Sequence, residues 1–141
     1  MFLTMPRSSA LQPTQTCGAL RVLLVDDDSL VRWALGYTLI QHGCLVVEDK
    51  DGESAIRSVA DPSSLFDVIL LDFPLAEGDG LDVLTALKQL SPKSRVLLMS
   101  TGISADDLAE AVRRGAAAFV PKPFDLDDVW TLVRRYGRSA D

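Results

Sequence analysis

The sequence predicts an α/β fold, a doubly wound five-stranded parallel sheet with helices on both faces. From Arg21 onward, five short apolar runs alternate with five stretches of helical spacing. The apolar runs are continuous rather than alternating, which is typical of strands that helices cover on both sides. Repeated strand–helix alternation makes such strands parallel, and right-handed crossovers leave few topologies.

The five apolar runs give the strands. They are RVLLVD at 21–26, CLVVED at 44–49, DVILLD at 67–72, RVLLMS at 95–100 and AAFVP at 117–121. In sheets of this kind, ligands bind beyond the carboxyl ends of the strands, where the strand order reverses. A functional site is therefore expected just after strands 1, 3, 4 and 5.

The first helix is predicted over Ser29–Gln41, and Gly43 closes it. Asp28 or Ser29 can cap its start. Helical spacing predicts that its apolar face is shared by Leu30, Ala34, Tyr37 and Leu39–Ile40. Trp33 and Trp130 lie at core-like spacing on helices, and we expect both to pack into the core.

The other helices begin at residues suited to helix caps. Asp51-Gly52 opens ESAIRSVA, and LDVLTALKQL forms the third helix. Ser104 with Asp107 resembles a capping box for the fourth helix, which Gly115 ends. Asp125 is predicted to cap LDDVWTLVRRY, whose first-turn acids and last-turn arginines match the helix dipole.

Length and composition describe one globular domain. The chain has 141 residues, of which 48% are hydrophobic and 24% charged. Its net charge of −6 argues against direct nucleic-acid binding, because Lys and Arg hold phosphate backbones. Cys17 and Cys44 have no metal-ligand spacing and are expected to be unpaired thiols.

The domain is predicted at 21–137, between a flexible N-terminal extension at 1–20 and a C-terminal tail at 138–141. Pro6 and Pro13 interrupt the extension, which lacks the apolar central region of a secretion signal. The sequence also lacks an apolar run of about 18 residues that could span a membrane. We therefore expect no membrane segment and a cytoplasmic location.

Polar residues of a particular kind follow the strands that should share one sheet edge. They are Asp26, Asp27 and Asp28 after strand 1, Asp72 at the end of strand 3, Ser100 and Thr101 after strand 4, and Lys122 after strand 5. Crowded carboxylates repel one another unless a cation lies between them. A hard divalent ion, most readily Mg²⁺, prefers such oxygen ligands. One carboxylate could then act as a nucleophile toward phosphorus, helped by the lysine and a hydroxyl.

Four motifs, in this order and spacing, resemble the receiver domains of two-component response regulators. They are VDDDSLVR, VILLDFPLAEGDGLDVL, VLLMST and GAAAFVPKPF, and the resemblance covers about residues 21–137. It implies a flavodoxin-like sheet of strand order 2-1-3-4-5, the order that chemotaxis receivers illustrate.

The resemblance also implies roles at the site. Asp72 resembles the phospho-accepting aspartate, and Asp26 and Asp27 resemble the acidic pair that holds Mg²⁺. Asp27 is the expected direct ligand and Asp26 acts through water. Pro74 occupies the position whose backbone carbonyl binds the metal, and Lys122 matches the lysine that precedes a cis proline.

Two further residues resemble the family's switch, Ser100 as its hydroxyl and Phe119 as its aromatic side chain. Thr101 is an alternative to Ser100, but adjacent strand residues face opposite ways and Ser100 keeps the family spacing to Lys122. Lone acids, hydroxyls and aromatics at strand ends are usually ordinary turn or packing residues, so these roles depend on all four motifs together.

The loop after Asp72 departs from the family pattern. A proline common four residues after the aspartate is replaced by Ala76, and proline stands instead at Pro74. Pro74 and Gly102 also remove side chains that could guide water to an acyl phosphate. The lifetime of a phosphorylated state is therefore left open by the sequence.

The resemblance implies a sensor histidine kinase or a histidine phosphotransfer protein as phosphodonor. Output would pass through the surface of helix 4, strand 5 and helix 5 to a downstream protein, to an effector domain outside this chain, or to a second copy in a homodimer. Catalysis is expected only toward the chain's own phosphorylation and dephosphorylation. Two alternatives have the same fold: a receiver-like interaction module that is never phosphorylated, and an enzyme such as a flavodoxin or an aspartyl phosphatase. No glycine-rich phosphate loop follows strand 1, which argues against the enzyme.

Overall fold

A computed structural model describes residues 19–73 and 80–138. Five parallel strands form one sheet of order β2-β1-β3-β4-β5, as predicted. The strands are β1 Arg21–Val25, β2 Leu45–Asp49, β3 Val68–Asp72, β4 Arg95–Ser100 and β5 Ala116–Pro121. The helices are α1 Ser29–Gln41, α2 Gly52–Ala60, α3 Gly80–Leu90, α4 Ala105–Arg113 and α5 Leu126–Arg138.

Alternate strand residues supply two separate cores, one on each face of the sheet. Leu24 of β1 packs with Leu35 of α1 and Val129 of α5 on one face. Leu23 of β1 packs on the opposite face with residues of α2, α3 and α4, such as Leu84. β3 lies in the middle of the sheet and all five of its residues are buried, which explains its continuous apolar sequence.

The predicted apolar face of α1 was wrong in part. Leu30, Tyr37 and Ile40 are more than half exposed, and the buried residues of the helix are Leu35, Gly36 and Leu39. Apolar residues occur around most of this helix, so periodicity alone does not decide which side faces the sheet. Packing on β1, β2 and α5 selects the Leu35–Leu39 side.

The two tryptophans also differ from each other. Trp130 of α5 is partly buried against the core and stacks on the His42 ring at 4.4 Å between centroids, as core packing predicted. Trp33 is 64% exposed, so its predicted core position was wrong. Its ring stacks instead on Tyr37 of the same helix, with centroids 5.7 Å apart.

Side-chain caps start the helices where the sequence predicted them. Asp28 accepts hydrogen bonds from the N–H groups of Leu30 and Val31, and Asp51 accepts one from Ser54. The Ser104 hydroxyl accepts from the Asp107 N–H. Gly43 and Gly115 follow α1 and α4 with φ of 89° and 112°, a conformation that glycine adopts without strain.

Within residues 19–73 and 80–138, every helix is too short or too polar to cross a membrane. The predicted N-terminal extension, apart from residues 19 and 20, lies outside this described part, as does nearly all of the predicted tail. Pro74, Ala76 and Cys17 also lie outside it, so the predictions made for them stay predictions. Cys44 is buried and unpaired.

Candidate functional site

Three carboxylates meet at the carboxyl edge of the sheet. Asp26 directly follows β1 and Asp72 ends β3, and these two strands are neighbours in register, with Val25 opposite Leu71. The Asp26 side chain is fully buried, Asp72 is only 7% exposed and Asp27 is exposed. One oxygen from each of Asp26, Asp27 and Asp72 lies within 4.8 Å of the others. The topology therefore brings the predicted acidic group together.

Lys122, which follows β5, extends its side chain to the same group of carboxylates. Its Nζ donates hydrogen bonds to Asp72 Oδ1 at 2.8 Å and to Asp26 Oδ2 at 3.0 Å. The Lys122 N–H donates to the Ser100 carbonyl at 2.7 Å, which ties the end of β5 to the end of β4. The Lys122-Pro123 peptide is cis, as the resemblance implied. One ammonium group thus bridges two buried carboxylates from neighbouring strands.

Burial controls the charge of Asp72. Removal from water raises its pKa to about 6 from an ordinary value of 3.8, although the hydrogen bond from Lys122 acts in the opposite direction. The negative charges of Asp26 and Asp27 act in the same direction as burial, and the pKa of about 6 is the net result of all these effects. Burial lowers the pKa of Lys122, but its hydrogen bonds to Asp72 and Asp26 outweigh this effect, and the net pKa is raised. The lysine therefore stays charged and compensates only part of the acidic charge.

Of the two candidate hydroxyl residues, Ser100 is buried and Thr101 is exposed. The Ser100 Oγ accepts a hydrogen bond from the Gly102 N–H at 3.1 Å, which connects the end of β4 to the loop before α4. Phe119 of β5 lies opposite Leu98 of β4, is partly buried, and packs against the core below α3 and α4. The predicted switch residues therefore lie on β4 and β5, the two strands that precede and follow α4 in the chain.

The acidic group suits a hard divalent cation. Carboxylate oxygens are the preferred ligands of Mg²⁺, and the metal keeps several waters when few protein ligands are present. Asp27, being exposed, can contact an ion directly while water still reaches it. Pro74, whose carbonyl the resemblance assigns to the metal, lies outside the described residues.

Arg32 touches the site but was not predicted to do so. Its Nη1 donates a hydrogen bond of 2.6 Å to the backbone carbonyl of Asp26. The motif VDDDSLVR contains this residue, and its position one helical turn after Asp28 was the only sequence signal. The partner atom belongs to the backbone, and no sequence pattern identifies such a contact.

Comparison with known proteins agrees with this geometry. The family described as "Response regulator receiver domain" matches residues 22–134. The chain belongs to this family. It is a receiver domain of the two-component type.

This receiver is also similar to part of longer bacterial transcriptional regulators. This receiver is 35% identical over 114 residues to the "DNA-binding transcriptional regulator NtrC" of Escherichia coli strain K12, a match that covers 81% of this chain and 24% of that protein. The chain therefore spans about a quarter of the length of such relatives.

Two solved structures show the same fold. A CheY-like receiver domain protein from Methanospirillum hungatei JF-1 superposes with a TM-score of 0.81 at 20% identity, over 85% of this chain and 94% of that one. The beryllofluoride-activated NtrC4 receiver domain dimer superposes with a TM-score of 0.74 at 28% identity, over 82% of this chain and 94% of that one.

Proposed function

We propose that this receiver accepts a phosphoryl group on Asp72 from the phosphohistidine of a sensor kinase or a histidine phosphotransfer protein. One observation carries the proposal: Lys122 Nζ binds both Asp72 and Asp26, beside the third carboxylate of Asp27. This arrangement supports the proposal because a carboxylate that could act as a nucleophile, a positive charge and oxygen atoms that could bind a metal lie close together.

In the proposed reaction, an oxygen of Asp72 forms the bond to phosphorus while the bond from phosphorus to the histidine nitrogen breaks. The histidine nitrogen keeps the electron pair of the broken bond. Lys122 is placed to transfer its hydrogen bond from Asp72 to an oxygen of the incoming phosphoryl group. Asp26, fully buried and bound to the same ammonium, keeps the lysine in place during this exchange.

Asp27 and Asp72 would hold Mg²⁺ directly, Asp26 would do so through water, and the Pro74 carbonyl would complete the protein ligands. When bound, Mg²⁺ supplies positive charge that offsets the charge of the phosphoryl group during transfer. Without it, burial and the two neighbouring acids keep the pKa of Asp72 near 6, so a larger fraction of this group is protonated near neutral pH than for an ordinary aspartate, and the protonated form is a poorer nucleophile. The chain would catalyse only its own phosphorylation and dephosphorylation.

The phosphorylated state would be read at the surface formed by α4, β5 and α5. We propose that Ser100 moves to bind a phosphoryl oxygen and that Phe119 turns inward, so that two states of this surface exchange population. The partner would be a downstream protein, an effector domain outside this chain, or a second copy. The activated dimer of the NtrC4 receiver supports the last of these. We also propose a cytoplasmic location, which membership of the response-regulator family supports.

The test is phosphorylation of the purified chain with acetyl phosphate, with and without Mg²⁺, followed by intact mass. We expect one added phosphoryl group that requires Mg²⁺ and is absent in the Asp72→Asn variant. Thr101→Ala is a matched control, since Thr101 is exposed beside the site and should not affect labelling.

Labelling that persists in Asp72→Asn would contradict the assignment of Asp72. Absence of an adduct in the folded wild-type chain has two explanations, which beryllofluoride separates. A stable Mg²⁺-dependent beryllofluoride complex indicates an acyl phosphate too short-lived to trap, whereas failure to bind it indicates a receiver-like module that is never phosphorylated.

A further inference from the structure

We infer that Arg32 is a positioning residue for the metal-binding carboxylates, acting through the backbone between Asp26 and Asp27. The inference deepens the proposed function and rests on it for the role of those acids. Arg32 would touch neither the metal nor the phosphoryl group.

The peptide linking Asp26 to Asp27 is held at its carbonyl end by the Arg32 guanidinium. Nη1 of Arg32 lies 2.6 Å from the Asp26 carbonyl oxygen, a short charge-assisted hydrogen bond. A change in ψ of Asp26 or in φ of Asp27, the two torsions on either side of this peptide, would turn the two carboxylates relative to each other, and a change in ψ of Asp26 would also move this carbonyl away from Arg32. The guanidinium therefore restrains the angle between the buried acid and the exposed one.

Within residues 19–73 and 80–138, other bonds fix the rest of this turn, and Arg32 is the side chain that binds the carbonyl of that peptide. The Asp26 N–H donates to the Asp49 carbonyl at 3.2 Å, and the Asp28 N–H donates to Asp26 Oδ1 at 2.9 Å. The Asp28 carbonyl accepts from the Arg32 N–H at 3.0 Å as the first turn of α1.

Glu48 of the neighbouring strand orients the arginine in turn. Its Oε1 lies 3.5 Å from Arg32 Nε, with the arginine side chain 20% exposed and the glutamate 41% exposed. A fork-shaped guanidinium can bind the carbonyl with one nitrogen and the carboxylate with another, which the point charge of lysine cannot reproduce.

Gly36 supplies the space that this arrangement needs. It is buried in α1 one turn after Arg32, and a Cβ added there would lie 2.9 Å from Glu48 Oε2. Contacts below 3.0 Å force a displacement, so a larger residue would push the Glu48 carboxylate away from its position beside α1. The edge strand, the helix and the acidic turn are thus connected through one arginine.

The deciding experiment is Mg²⁺ affinity, measured by calorimetry on the whole chain at a temperature where every variant is folded. We expect Arg32→Met to weaken Mg²⁺ binding about tenfold, the effect of losing roughly one charge-assisted hydrogen bond. Arg32→Lys should recover only part of this loss, and Glu48→Gln should weaken binding about threefold. Arg57→Met is the matched control, because Arg57 is also a helical arginine paired with a glutamate, but its side chain is exposed and its partner Glu53 lies on the same helix.

A purely structural role for Arg32 predicts a lower unfolding midpoint with unchanged Mg²⁺ affinity of the folded chain. Affinity in Arg32→Met within twofold of wild type would therefore overturn the inference. If Arg32→Met does not fold, Arg32→Lys and Glu48→Gln decide in the same way. A wild-type chain that binds Mg²⁺ but forms neither a phosphoryl adduct nor a beryllofluoride complex contradicts the proposed function alone, and one that binds no Mg²⁺ overturns both.

Discussion

At the scale of single residues, the position of Asp72 in the fold opposes the ionisation of its carboxyl group. The proposed reaction needs Asp72 to be ionised, yet burial and the charges of Asp26 and Asp27 raise its pKa to about 6. The hydrogen bond from Lys122 lowers the pKa of Asp72 but offsets only part of this increase. In the metal-free chain, ionisation of Asp72 at neutral pH therefore lowers the free energy of unfolding.

The raised pKa of Asp72 predicts how stability depends on pH. Between about pH 4 and pH 6, the folded chain binds the Asp72 proton more tightly than the unfolded chain does, so this group's contribution to stability falls as pH rises. Asp72→Asn removes the titration. We expect the variant to be more stable than wild type at pH 7.5 in EDTA, and the difference to shrink at pH 4.5.

The measurement is urea unfolding of both chains at the two pH values. The quantity to compare is the difference in free energy of unfolding between variant and wild type at each pH. Other groups also change the stability of both chains with pH, since Asp51, Asp61 and Glu110 have lowered pKa values and their contribution to stability decreases as pH falls. A variant that is less stable than wild type at pH 7.5, or a difference that does not change with pH, would contradict the role given to burial at Asp72.

At the scale of elements, α1 presents an apolar surface to solvent. Leu30, Trp33, Tyr37 and Ile40 recur along its outer side, and each is more than half exposed. The buried residues Leu35 and Leu39 lie on the opposite side. Only the buried side should therefore contribute strongly to the free energy of unfolding.

Two substitutions in α1 test this division. Leu35→Ala should lower the free energy of unfolding by about 2–5 kcal/mol, because it opens a cavity in a core where Leu35 has no exposure. Trp33→Ala should change it by less than about 1 kcal/mol, since the loss is limited to an exposed stack on Tyr37. Chemical denaturation of both variants decides. A larger loss of stability for Trp33→Ala than for Leu35→Ala would contradict the packing of the Leu35 side of α1 against the sheet.

The same helix shows where sequence reasoning succeeds and where it stops. Its bounds were predicted correctly because the cap residue Asp28 and Gly43 act locally. Its buried face was not, because that choice depends on packing with distant elements. The site follows the same rule: parallel strands necessarily bring Asp26, Asp72 and Lys122 to one edge, whereas Arg32 reaches a backbone carbonyl that no pattern reveals.

At the scale of the whole molecule, the candidate site is connected to α4 by a short path. The Ser100 Oγ accepts from the Gly102 N–H, and the loop that follows leads directly into α4. Among the described residues of α4, Ala111 alone is buried, whereas α3 and α5 each bury large aliphatic side chains such as Leu84 and Val129. A weakly anchored helix is the element that a small movement of Ser100 can shift most easily.

Binding of beryllofluoride with Mg²⁺ should therefore change α4 as well as the strand ends. In ¹⁵N NMR spectra we expect the amide resonances of Gly102 and of residues 105–113 to move, because Ser100 leaves Gly102 to bind the phosphoryl mimic. Ser100→Ala should bind the mimic and lose the movement at α4, whereas Thr101→Ala, altered at an exposed neighbour, should retain it. Resonance changes confined to Asp26, Asp72 and Lys122 in the wild-type chain would show that the site and the α4 surface are uncoupled.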